Sequence, residues 1–290
     1  MKDLRGVMAA MVTPFDRSGA LNLGALPGYL EFQRAAGMDG LVVSGTNGEA
    51  VSMSVEERQR LLEAVLERRG DLVIVAGTGA ASVTDALALT RHAAAVGADA
   101  ALVLPPFFFK NPSAQGVADY FRRVLDAAEL PVLLYSIPQF SGVAITDEVL
   151  ALLDGHPRLA GLKDSAGQWE RTYALITGRR DLKVFPGSDG LLAPSLVAGA
   201  AGSITGTANA FPDLIVAVKR AHDAGRDTTE AQARLDAAKN ILVQYPLISS
   251  IKGVLAHRGV ERMWVRPPLV ELTDAQEAEM IGRLRDAGLI

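Results

Sequence analysis

"LVIVAGTGAASVTDALALTRHAAAVGADAALVL", residues 72–104, holds one complete structural unit. Leu72–Gly77 and Ala100–Leu104 are short continuous apolar runs with no in/out alternation. Parallel strands covered on both faces read this way. The segment between them opens on Ser82, a residue type that caps helix N-termini. It carries apolar residues at helical spacing and stops at Gly97. Strand, helix and strand in that order predict one repeat of a parallel α/β fold.

The unit recurs on both sides. Candidate strands lie at Gly6–Val12, Gly40–Gly45, Val132–Ser136, Leu159–Lys163, Lys183–Gly187 and Ala201–Thr205. Helix signals fall between them. Ser54 is followed three residues later by Glu57, a capping box, and further helices open at Ser113 and Thr146. Eight strand-plus-helix repeats over residues 1–224 predict an α/β fold, a closed TIM (β/α)8 barrel. An open doubly wound sheet is the competing architecture. The turn after the first strand reads "VTPFDRSG", without the GxGxxG of the dinucleotide-binding version. Residues 225–290 read as helices, "TEAQARLDAAKNILV", "LISSIKGVLAHRG" and "TDAQEAEMIGRLRDAG". No Pro/Ser-rich linker precedes them, so a C-terminal helical extension packed on the barrel is expected.

Composition narrows the function. Of 290 residues, 49% are apolar, enough for a large core. The formal charge of −4 and the lack of any Lys/Arg block argue against a nucleic-acid surface. No cysteine is present, which removes thiolate chemistry and fits a reducing cytoplasm. His92, His156, His222 and His257 stand far apart and in no metal-ligand spacing, so no metal is expected. The apolar stretch at the N-terminus ends at Pro14, too short to span a membrane, and no export signal is evident.

In such barrels the C-terminal strand ends build the active site. Strand 6 ends in Lys163, within "RLAGLKDSAG" (Arg158–Gly167). Lys110 lies further out in a loop, and Lys183 begins a strand at the opposite face. A lysine enclosed by barrel side chains loses water, which favours the neutral amine. That amine can attack a ketone and form a Schiff base, whose protonated imine is an electron sink. The plainer reading is a lysine paired with Asp164, and position alone divides the two evenly. "SGTNGEA" ends strand 2. Gly45 and Gly48 let backbone approach a ligand whose carboxylate the amides and Thr46 can hold; a tight strand-to-helix turn explains the same residues. Tyr135 ends strand 5, next to Lys163 around the barrel. It is either a proton carrier or a core tyrosine with its hydroxyl at the rim.

Taken together, "MVTPF", "GTNGE", "GTG", "LYSIP", "GLKDS", "GSDG" and "GSITGTAN" resemble the dihydrodipicolinate synthase / N-acetylneuraminate lyase family of pyruvate-dependent class I aldolases. The resemblance runs over essentially the whole chain, C-terminal helices included. It implies that Lys163 forms the imine with pyruvate or a pyruvyl group and that Tyr135 is the acid/base. It implies that Thr46 and Asn47 hold the pyruvyl carboxylate, that the backbone near Ile204 lines the pocket, and that Glu49 is structural. No cofactor is implied. A homotetramer built from dimers is, with the Phe107, Phe108 and Phe109 loop at a subunit contact.

The chain departs from the synthase of that family at three places. The arginine that binds the aldehyde's carboxylate there is Phe140 here, the second threonine of GTTGE is Asn47, and the relay tyrosine falls in the "PPFFFKN" loop, which has no hydroxyl. Phenylalanine cannot replace a guanidinium fork at a carboxylate. The reading is therefore a lyase that cleaves a 4-hydroxy-2-oxo acid or 2-keto-3-deoxy sugar acid to pyruvate and an aldehyde. The synthase itself and a keto-deoxy-sugar-acid dehydratase are the alternatives, and a silent sugar-acid-binding barrel is the reading from another class. Ser188, Asp189, Gln139, Phe140 and the "PPFFFKN" loop are expected to line the aldehyde pocket, which around Phe140 and Phe107–Phe109 is too apolar for a charged aldehyde unless Lys110 or Arg171 folds in. Val55 and Ala81 stand where lysine-inhibited synthases carry a histidine and an asparagine, so lysine feedback is not expected.

Overall fold

The computed structural model describes residues 3–290. Eight strands, β1 (Gly6–Ala10), β2 (Gly40–Val43), β3 (Val73–Gly77), β4 (Ala100–Val103), β5 (Val132–Ser136), β6 (Leu159–Asp164), β7 (Lys183–Pro186) and β8 (Gly202–Thr205), form one sheet in the order β7-β6-β5-β4-β3-β2-β1-β8. Every pairing is parallel. The two ends of the order approach each other where Ala201 N–H donates to Val184 O at 3.0 Å. The sheet is thus a nearly closed barrel, as the repeat predicts.

Side chains on each strand alternate between two buried cores. Met8, Val42, Val75, Leu102, Leu133, Phe185 and Ile204 fill the barrel. Val7, Leu41, Ile74, Val103, Leu134 and Val184 point outward into the layer between strands and helices. Both faces are apolar, so the strands read as continuous runs in the sequence. The helix signals hold as well. Ser54 and Glu57 form a capping box at the helix Val55–Leu66, and Ser82, Ser113 and Thr146 each accept a backbone N–H at their helix starts.

Asn209, from "GTAN", closes the barrel on the inside of the β8 connection. Its Oδ1 accepts from Val12 N at 3.0 Å and from Tyr29 Oη at 2.7 Å. Its Nδ2 donates to Ala10 O and Gly206 O, each at 2.8 Å. One buried amide therefore ties the end of the chain's last strand to its first. After the helix Pro212–Asp223 the chain adds the helices Thr229–Leu242, Leu247–His257 and Asp274–Asp286. Leu235, Leu242, Ile251, Leu255, Met280 and Leu284 join the same outer core as the barrel helices. None of the helices among the described residues is long and apolar enough to cross a membrane.

Candidate active site

β5 and β6 run side by side with Tyr135 opposite Lys163 in register. Both point into the barrel mouth and both are 3% exposed. Lys163 Nζ lies 4.2 Å from the centre of the Tyr135 ring. Asp164 does not pair with it. That carboxylate, on the other face of β6, accepts from Thr172 Oγ1 at 2.8 Å and from Arg171 Nε at 3.4 Å. Among the described residues Lys163 Nζ has neither an ion pair nor a hydrogen bond. A buried amine with only an aromatic face beside it is unusual, because burying an uncompensated charge is costly.

The Tyr135 hydroxyl is 3.3 Å from Thr46 Oγ1. Thr46 sits in the turn after β2, where Ser44 (φ 59°) and Glu49 (φ 54°) both take left-handed backbone conformations. For non-glycine residues this costs roughly 1–3 kcal/mol each, so the surroundings must impose it. Glu49 is where they do. Fully buried, it accepts from Lys252 Nζ at 2.6 Å and from Arg266 N at 2.8 Å. Burial pushes the Lys252 ammonium down, and Glu49 opposes that shift. The extension thus clamps the Thr46 turn from outside the barrel.

A cavity of about 300 Å³ opens at this point, lined by Thr46, Asn47, Tyr135, Lys163, Ser188, Asp189 and Ile204 among others. Its size suits a small ligand. Two glycines make room for it. A Cβ on Gly187 would collide with Ser165 Oγ and come within 3.2 Å of Lys163 Cε, and one on Gly206 would stand 2.8 Å from Asn47 Nδ2. Phe140 lines both this cavity and a second, more apolar one of about 300 Å³ behind the Thr46–Tyr135 contact, where Gly45 and Phe107 lie. Contrary to the expectation that the whole phenylalanine loop lines the aldehyde pocket, Phe108 and Phe109 line neither cavity and are 78% exposed, because their side chains point out to the surface. Larger grooves of about 520 and 740 Å³ lie on the outer helices, away from Lys163 and Tyr135.

Asp189 is buried at the cavity wall. Thr207 Oγ1 donates to its Oδ2 at 2.8 Å, while its Oδ1 has no partner among the described residues. Burial pushes its carboxyl up, against the pull of the neighbouring threonine hydroxyls and Lys239.

Residues 3–286 match the model of the dihydrodipicolinate synthetase family. The chain belongs to that family. A relative named as an uncharacterized DapA-like lyase, from Chloroflexus aurantiacus, is 42% identical over 286 residues, 97% of this chain and 96% of that one. Two solved structures superpose along the whole chain. One is the chloride-inhibited dihydrodipicolinate synthase of Acinetobacter baumannii complexed with pyruvate (TM-score 0.92, 30% identity, 99% of this chain and 100% of that one). The other is a catalytic-lysine mutant of the sialic acid aldolase of Ruminococcus gnavus (TM-score 0.91, 28% identity, 99% of both chains). The family and the barrel are those read from the motifs, and the chain is a lyase of this family.

The expectation about cations in the pocket needs correction. Lys110 donates to Ser141 O at 3.2 Å, and Arg171 to Ile145 O at 2.7 Å, so neither turns into the cavity. Lys239, on the extension helix Thr229–Leu242, lines it instead, with Val243 and Leu247. No local motif marks these three. They reach the site only because the extension folds back over the barrel mouth.

Proposed function

We propose that the chain is a Schiff-base lyase that cleaves a 4-hydroxy-2-oxo acid or 2-keto-3-deoxy sugar acid to pyruvate and an aldehyde, or runs the reverse. The observation that carries this reading is Lys163, buried in the barrel mouth with no carboxylate partner and stacked on Tyr135. Lys163 Nζ attacks the C2 ketone, and Tyr135 donates a proton to the departing water as the iminium forms. Tyr135 Oη then takes the proton of the 4-hydroxyl. The C3–C4 bond breaks, its electrons move into the iminium, and the aldehyde leaves. The enamine gains a proton at C3, and water releases pyruvate and the free lysine. Thr46 orients the Tyr135 hydroxyl and, with Asn47, holds the pyruvyl carboxylate. The backbone near Ile204 lines the pyruvyl pocket, and Ser188, Asp189 and Phe140 bound the aldehyde half. The iminium is the electron sink, so the cycle uses no metal and no organic cofactor.

The same imine serves the synthase, and one observation favours it as the second reading: Lys239 brings a cation to the cavity although position 140 is phenylalanine. The two readings separate in paired assays on one preparation. The lyase reading predicts pyruvate release from a 4-hydroxy-2-oxo acid that outruns condensation of pyruvate with aspartate semialdehyde. Efficient condensation that saturates in both substrates, with little pyruvate release, would replace it by the synthase.

Assembly is part of the proposal. Phe108, Phe109 and Val51 are 78%, 78% and 76% exposed. Exposed apolar side chains of this size are what a partner surface covers. A homotetramer built from dimers, with the phenylalanine loop at a subunit contact, is the expected state, and the cytoplasm the expected place.

A further inference from the structure

The described lysines fall into two groups. Lys183 pairs with Asp3, Lys219 with Asp223 at 2.6 Å, Lys252 with Glu49 at 2.6 Å, and Lys110 donates to a backbone carbonyl. Lys163 and Lys239 have no ion pair and no hydrogen bond among the described residues, and both line the one cavity. For Lys163 the chemistry of an imine explains the vacancy. Nothing in the proposed mechanism uses Lys239.

Its surroundings do not explain it either. Lys239 is half-buried, and its Nζ comes within 3.8 Å of where a Cβ on Gly190 would sit, which places it beside Asp189. Asp236 Oδ1, 3.5 Å from that same point, accepts from Gln232 Nε2 at 3.0 Å and forms no ion pair with Lys239. Among the described residues Asp189 is the only carboxyl lining the cavity; burial pushes it up, Lys239 pulls it down, and the two form no ion pair. A half-buried ammonium that lines a small cavity and forms no ion pair is a receptor for a negative group on the ligand. A single point charge suits one carboxylate, whereas a phosphate is more often met by an arginine fork or several donors.

We infer that Lys239 binds a second carboxylate on the aldehyde half, so that the preferred substrate is a diacid held between Lys163 at its 2-oxo group and Lys239 at its far end. The inference rests on the proposed binding of a 2-oxo acid at Lys163 and adds the charge of the other half. It assigns a specificity role to the C-terminal extension, which otherwise serves the barrel as a clamp.

Calorimetric binding of two 2-oxo acids of equal chain length tests it without requiring turnover. 2-Oxoglutarate ends in a carboxylate and 2-oxopentanoate in a methyl group. The native protein should bind 2-oxoglutarate about 10- to 100-fold more tightly, the range of a hydrogen bond to a charged group. Lys239→Met should remove that preference and leave 2-oxopentanoate binding unchanged, and Lys239→Arg should restore most of it. Equal affinities in the native protein, or a preference that survives Lys239→Met, would overturn the inference. So would no binding of either acid by a protein that still forms an imine with pyruvate. Tighter binding of the phosphonate analogue, 2-oxo-4-phosphonobutyrate, than of 2-oxoglutarate would overturn the assignment to a carboxylate. Borohydride trapping on the same preparations reports on Lys163 alone. A Lys239-dependent preference without trapping would therefore count against the imine and not against the second anchor.

Discussion

Lys163 and Tyr135 face each other because two neighbouring strands end in register, and alternation along each strand turns both side chains inward. That much is legible in the sequence, since a lysine and a tyrosine close two consecutive apolar runs. The absence of an ion pair is not legible, because Asp164 is adjacent in sequence and the opposite face of β6 takes it away. Nor are Gly187 and Gly206, whose lack of a side chain makes the room that Lys163 and Asn47 occupy. Tyr135→Phe keeps the packed ring and removes only the hydroxyl. Turnover should fall about 10²- to 10⁴-fold, the usual contribution of a general acid–base group, while the fold and imine trapping persist. Near-normal steady-state turnover would take Tyr135 out of the proton transfers.

At the scale of elements, the capped helices and buried strands follow from local signals that the structure keeps within a few residues. The turn after β2 behaves differently. "GTNGE" announces a tight connection, but what holds its left-handed residues is Lys252, 203 positions away from Glu49. A sequence carries no distance between such positions until the barrel closes and the extension docks. Glu49→Gln leaves a buried ammonium without its counter-charge. Breaking such a pair typically costs about 3–5 kcal/mol. Denaturant unfolding should show a loss of that size, and adding Lys252→Met should recover part of it, because the charge left behind is then gone. A Glu49→Gln protein of unchanged stability would show that the turn is held by its own geometry.

The whole molecule is a barrel whose active-site face is finished by residues from outside it. The extension contributes the Lys252 clamp and Lys239, and the phenylalanine loop is the proposed surface for a neighbouring subunit. Replacing Phe108 and Phe109 with serine removes two large exposed apolar side chains from that loop. Sedimentation should then show a smaller assembly than the native protein forms, and an unchanged assembly would place the contact elsewhere. Lysine at millimolar concentration should leave the rate unaltered, because Val55 and Ala81 offer a charged amino acid no polar contact. Saturable inhibition would contradict that. The proposed lyase chemistry depends on Lys163 forming a covalent bond with the substrate, and one measurement tests it directly: reduction with borohydride in the presence of pyruvate, followed by peptide mass mapping. A reduced pyruvyl adduct is expected on the peptide that contains Lys163, absent in Lys163→Ala. An adduct that maps to another lysine, or that persists in Lys163→Ala, would contradict it.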